Sequence, residues 1–124
     1  MMNDYRRGWA LRYLREAKAE LKAARKMPSM TTELAFEAVR KAQAAIYYSL
    51  GDPSYLESIV RQKARSKGLI NDPVLRCLVE IERTVRAIKR ASEADREKIL
   101  KQADNVIRIA SDIVELLTGE PPCH

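Results

Sequence analysis

The side chains able to do chemistry in this chain are mostly basic: 23 Lys and Arg stand against 17 Asp and Glu, for a net charge of +6. Four arginines, Arg76, Arg83, Arg86 and Arg90, fall within about 80° of one another on a helix of 3.6 residues per turn, opposite an apolar face. Guanidinium groups spaced in this way can each engage a phosphate through two parallel hydrogen bonds, a geometry that lysine lacks. The plainer reading is a solvated helix face partly paired by Glu80 and Glu82. A second basic run, Arg61, Lys63, Arg65 and Lys67, contains no acid. Its alternation spreads the charges around a helix, and with Gly68 following it is able to form a mobile basic loop. Trp9, Tyr13, Tyr47, Tyr48 and Tyr55, besides Tyr5 and Phe36, are the large aromatics that could stack on bases, although Tyr47 and Tyr48 are better placed for packing.

Catalytic and metal chemistry find little support. The single histidine is His124, so a His-activated nucleophile, a His metal site inside the fold and a di-iron Glu-x-x-His pair are all excluded. Cys123 and His124 supply two adjacent ligands, short of a tetrahedral set. Glu16/Glu20, Glu33/Glu37 and Glu93/Glu97 are each spaced as a metal or acid–base pair would be. Arg12 four residues before Glu16, and Lys41 and Lys101 four after Glu37 and Glu97, make them surface ion-pair ladders instead. The four glycines stand alone, so no phosphate loop of the P-loop or Rossmann type is present. No catalytic residue, metal or cofactor is assigned.

The elements that must position these residues are all helices, since apolar residues recur at three and four between clear stops. The first is expected over about Asn3 to Lys26, with a stripe Ala10, Leu14, Ala17, Leu21 and Ala24, interrupted at Met27-Pro28-Ser29. The second starts at Thr31 or Thr32 and ends at Gly51. One of its sides carries Ala35, Ala38, Ala42, Ala45 and Ser49 and another Phe36, Val39, Ile46 and Leu50, which makes it the central helix. Asp52-Pro53 and Asp72-Pro73 each place an N-cap carboxylate before a proline at the first helical position. They open a third helix, about Pro53 to Lys67, and a fourth, about Pro73 to Ala91. Ser92 and Asp95 resemble a capping box opening a fifth helix that ends at Gly119. The fold class is therefore all-α: an antiparallel up-and-down bundle of four long helices plus one shorter helix. Residues 1–119 are expected to form one domain and residues 120–124 a flexible tail. With no transmembrane stretch and no signal-peptide-like apolar run, the chain is expected to be cytoplasmic and off the membrane.

The segment Trp9-Ala10-Leu11-Arg12-Tyr13-Leu14-Arg15-Glu16-Ala17, followed by Ala35-Phe36-Glu37-Ala38-Val39-Arg40-Lys41-Ala42-Gln43-Ala44-Ala45-Ile46-Tyr47-Tyr48, resembles the HEPN superfamily. The match covers roughly residues 5–51, with the later helices agreeing in number and order. The resemblance implies a helical domain of four or five helices, often a homodimer, of the kind found in toxin–antitoxin, RNA-processing and nucleotide-linked systems. Many members are metal-independent ribonucleases that carry an arginine followed four to six residues later by a histidine. This chain departs from that pattern, because no arginine lies within that distance of His124. No catalytic residue carries over.

The expected function is a non-catalytic homodimeric module that binds RNA, a nucleotide or a partner protein through Arg76, Arg83, Arg86, Arg90, Arg61, Lys63 and Arg65. The fifth helix's wide apolar face, with Trp9 and Tyr13 near a chain end, suggests the dimer. The alternative is an all-helical enzyme whose arginines converge on a small anionic substrate. The two readings part on whether Arg40, Arg76, Arg83 or Arg86 points into a cavity or to solvent.

Overall fold

The computed structural model describes residues 3–119. Cys123, His124 and the expected tail lie outside that range. Five helices are seen: α1 (Asp4–Lys26), α2 (Thr31–Leu50), α3 (Pro53–Arg65), α4 (Pro73–Lys89) and α5 (Arg96–Thr118). There is no strand among the described residues, and α3, with 13 residues, is the short helix.

The helix ends form where the residue chemistry dictates. Asn3 accepts the amide N–H of Arg6 at 2.8 Å and caps α1. Asp52 accepts from Ser54 and Tyr55, and Asp72 from Val74 and Leu75, each with proline next in line. Gly119 closes α5 in the left-handed region at φ 74°, a conformation that costs any side chain with a Cβ. Three boundaries differ from expectation, one of them the end of α4, which stops at Lys89. α3 stops at Arg65, where Ser66 turns extended, so Arg61, Lys63 and Arg65 are helical and only Lys67 lies in the loop. Ser92 caps a 3-10 turn, Glu93–Asp95, through Ala94 N–H, and α5 begins only after it at Arg96.

Cross-links fix the helix directions. Arg6 at the start of α1 donates to the carbonyl oxygens of Tyr48 and Ser49 at the end of α2, so these helices are antiparallel. Arg96 at the start of α5 reaches Thr31 Oγ1 at the start of α2 (3.0 Å) and the Arg25 carbonyl at the end of α1 (2.8 Å). Gln43 of α2 meets Glu82 of α4, and Phe36 meets Lys89, so α4 runs against α2. The order α1, α2, α4, α5 is thus up, down, up, down. α2 packs against the other four helices, whereas α4 and α5 barely touch.

Small residues make this possible. Ala35, Ala38, Ala42, Ala45 and Ser49 of α2 are buried, as are Ala10, Ala17 and Ala24 of α1 and Ala103 and Ala110 of α5. Contacts of that size let helix axes approach at the near end of the usual 8–10 Å range. Larger residues such as Val39, Ile46, Val60, Val79, Ile88 and Ile99 fill what remains, in one continuous core. Trp9 and Tyr13, which suggested an intermolecular contact, pack within the chain: their rings lie 5.5 Å apart and each stacks on Tyr48, at 6.2 and 5.7 Å.

The packing at α2 predicts an asymmetry. Ala42→Leu should cost about 1–3 kcal/mol by overpacking, while Ala19→Leu on the exposed side of α1 should leave stability nearly unchanged. Urea midpoints of the two variants check this, and equal midpoints would contradict the close approach of α2 to its neighbours.

Candidate functional site

The basic residues singled out by spacing do not stay together in space. Arg76 is exposed and folded back, its Nε and Nη2 donating to the Ile70 carbonyl at 3.2 and 3.0 Å, where it fastens the loop before α4. Arg83 is exposed and paired with Glu80 at 3.2 Å. Arg90 is exposed at the end of α4, and Lys63 is exposed on α3 away from the cleft described next. Arg86 turns the other way, toward α2 and α3.

There it lines a cleft of about 290 Å³ shared by three helices. α2 contributes Phe36, Arg40 and Gln43; α3 contributes Arg61 and Arg65; α4 contributes Glu82, Val85, Arg86 and Lys89. Five cations face one lining carboxylate. Of the arginines that distinguish the two functional readings, Arg40 and Arg86 line this cavity and Arg76 and Arg83 do not. Arg61 and Arg65, four residues apart on α3, also border a second recess of about 460 Å³ with Ser54, Glu57, Ser58 and Gln62, so the basic surface continues along α3.

The floor is an organised polar network. Glu82 is buried, at 7% exposure, and its two oxygens take separate donors: Gln43 Nε2 at 2.7 Å on Oε1 and Arg86 Nε at 2.8 Å on Oε2. A carboxylate taken out of water needs such partners, since an unpaired one costs several kcal/mol. Gln43 Nε2 also lies 3.1 Å from the Tyr47 hydroxyl, which accepts from it. Burial, and next the nearby Glu82 charge, push the Tyr47 phenol well above the ordinary tyrosine range.

The rim is built differently. Arg40 and Lys89 stand 5.9 and 5.7 Å from the centre of the Phe36 ring, within reach of its negative face. Among the described residues, Arg40, Arg65 and Lys89 have no carboxylate partner, while Arg61 is held by Glu57 at 2.6 Å. The cleft therefore offers unneutralised charge at its mouth and a satisfied ion pair at its base. Phosphate groups fit the first and hydrogen-bonding groups the second.

Spacing alone missed Gln43, Lys89 and the role of Glu82. The signal available was the set Phe36, Arg40 and Gln43, at intervals of four and three on α2, a strip that flanks the Val39–Ile46 side. Two expected ladders are also absent. Lys41 pairs with Glu16 and Glu20 of α1 at 3.2 and 2.6 Å instead of with Glu37, and no Glu97–Lys101 pair forms. Arg12–Glu16 is present at 2.9 Å. No cluster of three or more His, Cys, Asp or Glu able to hold a metal occurs among the described residues, and no helix there is long and apolar enough to cross a membrane.

A different surface lies where α2 and α5 end and α4 begins. Leu50, Val74, Leu116 and Leu117 are exposed by 36, 56, 81 and 41% around an apolar groove of about 330 Å³ that also includes Cys77 and Ile113. Val74 and Leu117 continue the apolar spacing of their helices and yet face solvent.

Comparison with family models, with curated proteins and with solved structures gave no match.

The buried Tyr47 predicts an alkaline weakness. Its pKa is raised in the folded chain, so the associated stability is complete below about pH 10, where an unfolded tyrosine is still neutral, and is lost as pH rises beyond that. Wild type should lose more stability between pH 8 and 11 than Tyr47→Phe, measured by urea unfolding. Equal losses would show that the phenol is not held neutral by its surroundings.

Proposed function

We propose that the chain is a non-catalytic RNA-binding module that holds single-stranded RNA in the α2–α3–α4 cleft. The observation that carries this reading is the convergence of Arg40, Arg65, Arg86 and Lys89 from three helices on one cleft, with three of the four cations lacking any acidic partner among the described residues. A solvated surface has little use for such an arrangement, since like charges brought together repel and are usually neutralised by intervening acids. The HEPN resemblance of residues 5–51 supports a phosphate-bearing ligand of this class. The missing Arg-x4–6-His pattern supports binding without cleavage.

The enzyme alternative keeps one supporting fact, the placement of Arg40 and Arg86 in the same cavity. Against it, the cleft's lining offers a single carboxylate, Glu82, and its charge is paired with Arg86 at 2.8 Å, a partner that holds it as an anion and not as a proton acceptor. Homodimerisation belongs to the same proposal and is supported by the exposed apolar groove at the Leu50–Val74–Leu116 end.

Labelled single-stranded RNA titrated at low and at physiological salt should bind and weaken steeply as salt rises. Replacing Arg40, Arg65 and Lys89 together by alanine should flatten the slope of log affinity against log salt by about 2, at roughly 0.7 per lost phosphate contact. Arg83→Ala should change little. The RNA should remain intact on a gel afterward; cleavage would revive the enzyme reading, and no binding at low salt would remove the RNA reading. Sedimentation at micromolar concentration should show a dimer that Leu116→Asp converts to monomer with an unchanged melting temperature. A monomeric wild type would refute the pairing.

A further inference from the structure

We infer that Glu82 makes the cleft selective for guanine, the base sitting on the carboxylate while the adjoining phosphates stay at the basic rim. This rests on the reading of the cleft as an RNA site. The starting point is an apparent mismatch: a site lined by five cations carries a carboxylate at its floor, where it would repel a phosphate that entered fully. The floor therefore takes a part of the ligand other than its charge. An ionised carboxylate has about four acceptor positions, two on each oxygen. Gln43 occupies one on Oε1 and Arg86 one on Oε2. Neither donor exhausts the oxygen it binds, so the two adjacent oxygens together retain capacity for a pair of neighbouring donors.

Bases differ sharply in what they bring to such a pair. The Watson–Crick edge of guanine presents N1–H and the 2-amino group as adjacent donors, which match two neighbouring acceptors. Adenine and cytosine each set an amino donor beside a ring nitrogen that accepts, so one contact is lost and a lone pair is pushed against the carboxylate. Uracil flanks its N–H with two carbonyl oxygens, both repelled. Single-stranded RNA exposes this edge to a protein, which is how sequence is read in unpaired segments. At about 290 Å³ the cleft is at the small end of ligand-sized pockets. Phe36 and Val85 give it apolar walls against which a base can lie. Arg86, donating to Glu82 through Nε, holds the carboxylate in place and adds a planar guanidinium beside the base.

The test uses short labelled oligouridines that differ at one central position. Wild-type protein is titrated with guanine, hypoxanthine, adenine, cytosine or uracil there. The guanine strand should bind about tenfold more tightly than the adenine, cytosine and uracil strands, as one good bidentate contact provides. Hypoxanthine, which lacks only the 2-amino group, should lose most of that gain. Glu82→Gln removes one acceptor oxygen and the floor's negative charge, so it should abolish the guanine preference, the guanine, adenine, cytosine and uracil strands then binding alike. Equal affinity for every base would overturn the inference and leave the RNA site standing. A preference that survives in Glu82→Gln, with a native melting curve, would take the reading away from Glu82. No binding by any strand at low salt would overturn the RNA reading itself. The hypoxanthine comparison needs no variant, so it decides the matter even where Glu82→Gln fails to fold.

Discussion

α2 can touch four other helices because one of its packed faces is nearly bare of side chain. Ala35, Ala38, Ala42, Ala45 and Ser49 are all buried, and with residues this small the backbone of a neighbour comes close enough for dispersion and exclusion of water to hold it. Larger residues there would hold the neighbours of α2 apart, and the helix would lose its place at the centre. The constraint reaches the functional surface directly. With two sides of α2 given over to close packing, its polar and aromatic residues Phe36, Arg40, Gln43 and Tyr47 are left to the side that meets α3 and α4. α4 is drawn to that side and away from α5, which opens the apolar groove at the other end of the molecule.

Charge is handled in opposite ways around α2. Toward α1, Lys41 is sandwiched between Glu16 and Glu20, and its pKa is raised, chiefly by the hydrogen bond to Glu20. Glu16 is correspondingly held below the usual carboxylate range, first by Arg12 and then by Lys41. This network neutralises its own charges within the α1–α2 interface, with Glu20 Oε2 alone left buried without a hydrogen bond among its carboxylate oxygens. Toward α3 and α4 the arithmetic is left open: Glu82 pairs with Gln43 and Arg86 and Arg61 with Glu57, while Arg40, Arg65 and Lys89 have no acidic partner among the described residues. The same residue types are thus neutralised on one side and left with unpaired charge on the other, and what separates them is the presence of an acidic partner.

Much of the fold was legible because its signals are local. Asp52-Pro53, Asp72-Pro73, Gly51 and Gly119 mark helix ends through hydrogen bonds and backbone conformations that involve only adjacent residues. The alanine stripe of α2 is local too, and it identified the central helix. The site was not local. Arg86 looked like a member of an exposed stripe with Arg76, Arg83 and Arg90, since a helical wheel has no knowledge of which neighbour it meets. The structure divides that stripe, because α3 and α2 pack beside Glu82 and Arg86 while Arg76, Arg83 and Arg90 remain outside. Lys41 shows the same limit: spacing paired it with Glu37 on its own helix, yet the two carboxylates of α1 hold it more firmly from across the interface.

α4 links the two candidate surfaces, and its geometry keeps them from competing. Val74, Cys77 and Leu78 near its start border the apolar groove beside α5, whereas Glu82, Val85, Arg86 and Lys89 farther along border the cleft with α2 and α3. A pair of copies joined through the groove would therefore cover Leu50, Val74 and Leu116 and leave both clefts open. Two weak sites held in one particle bind a single strand far better than either alone, because the second contact forms at the effective concentration set by the span between them.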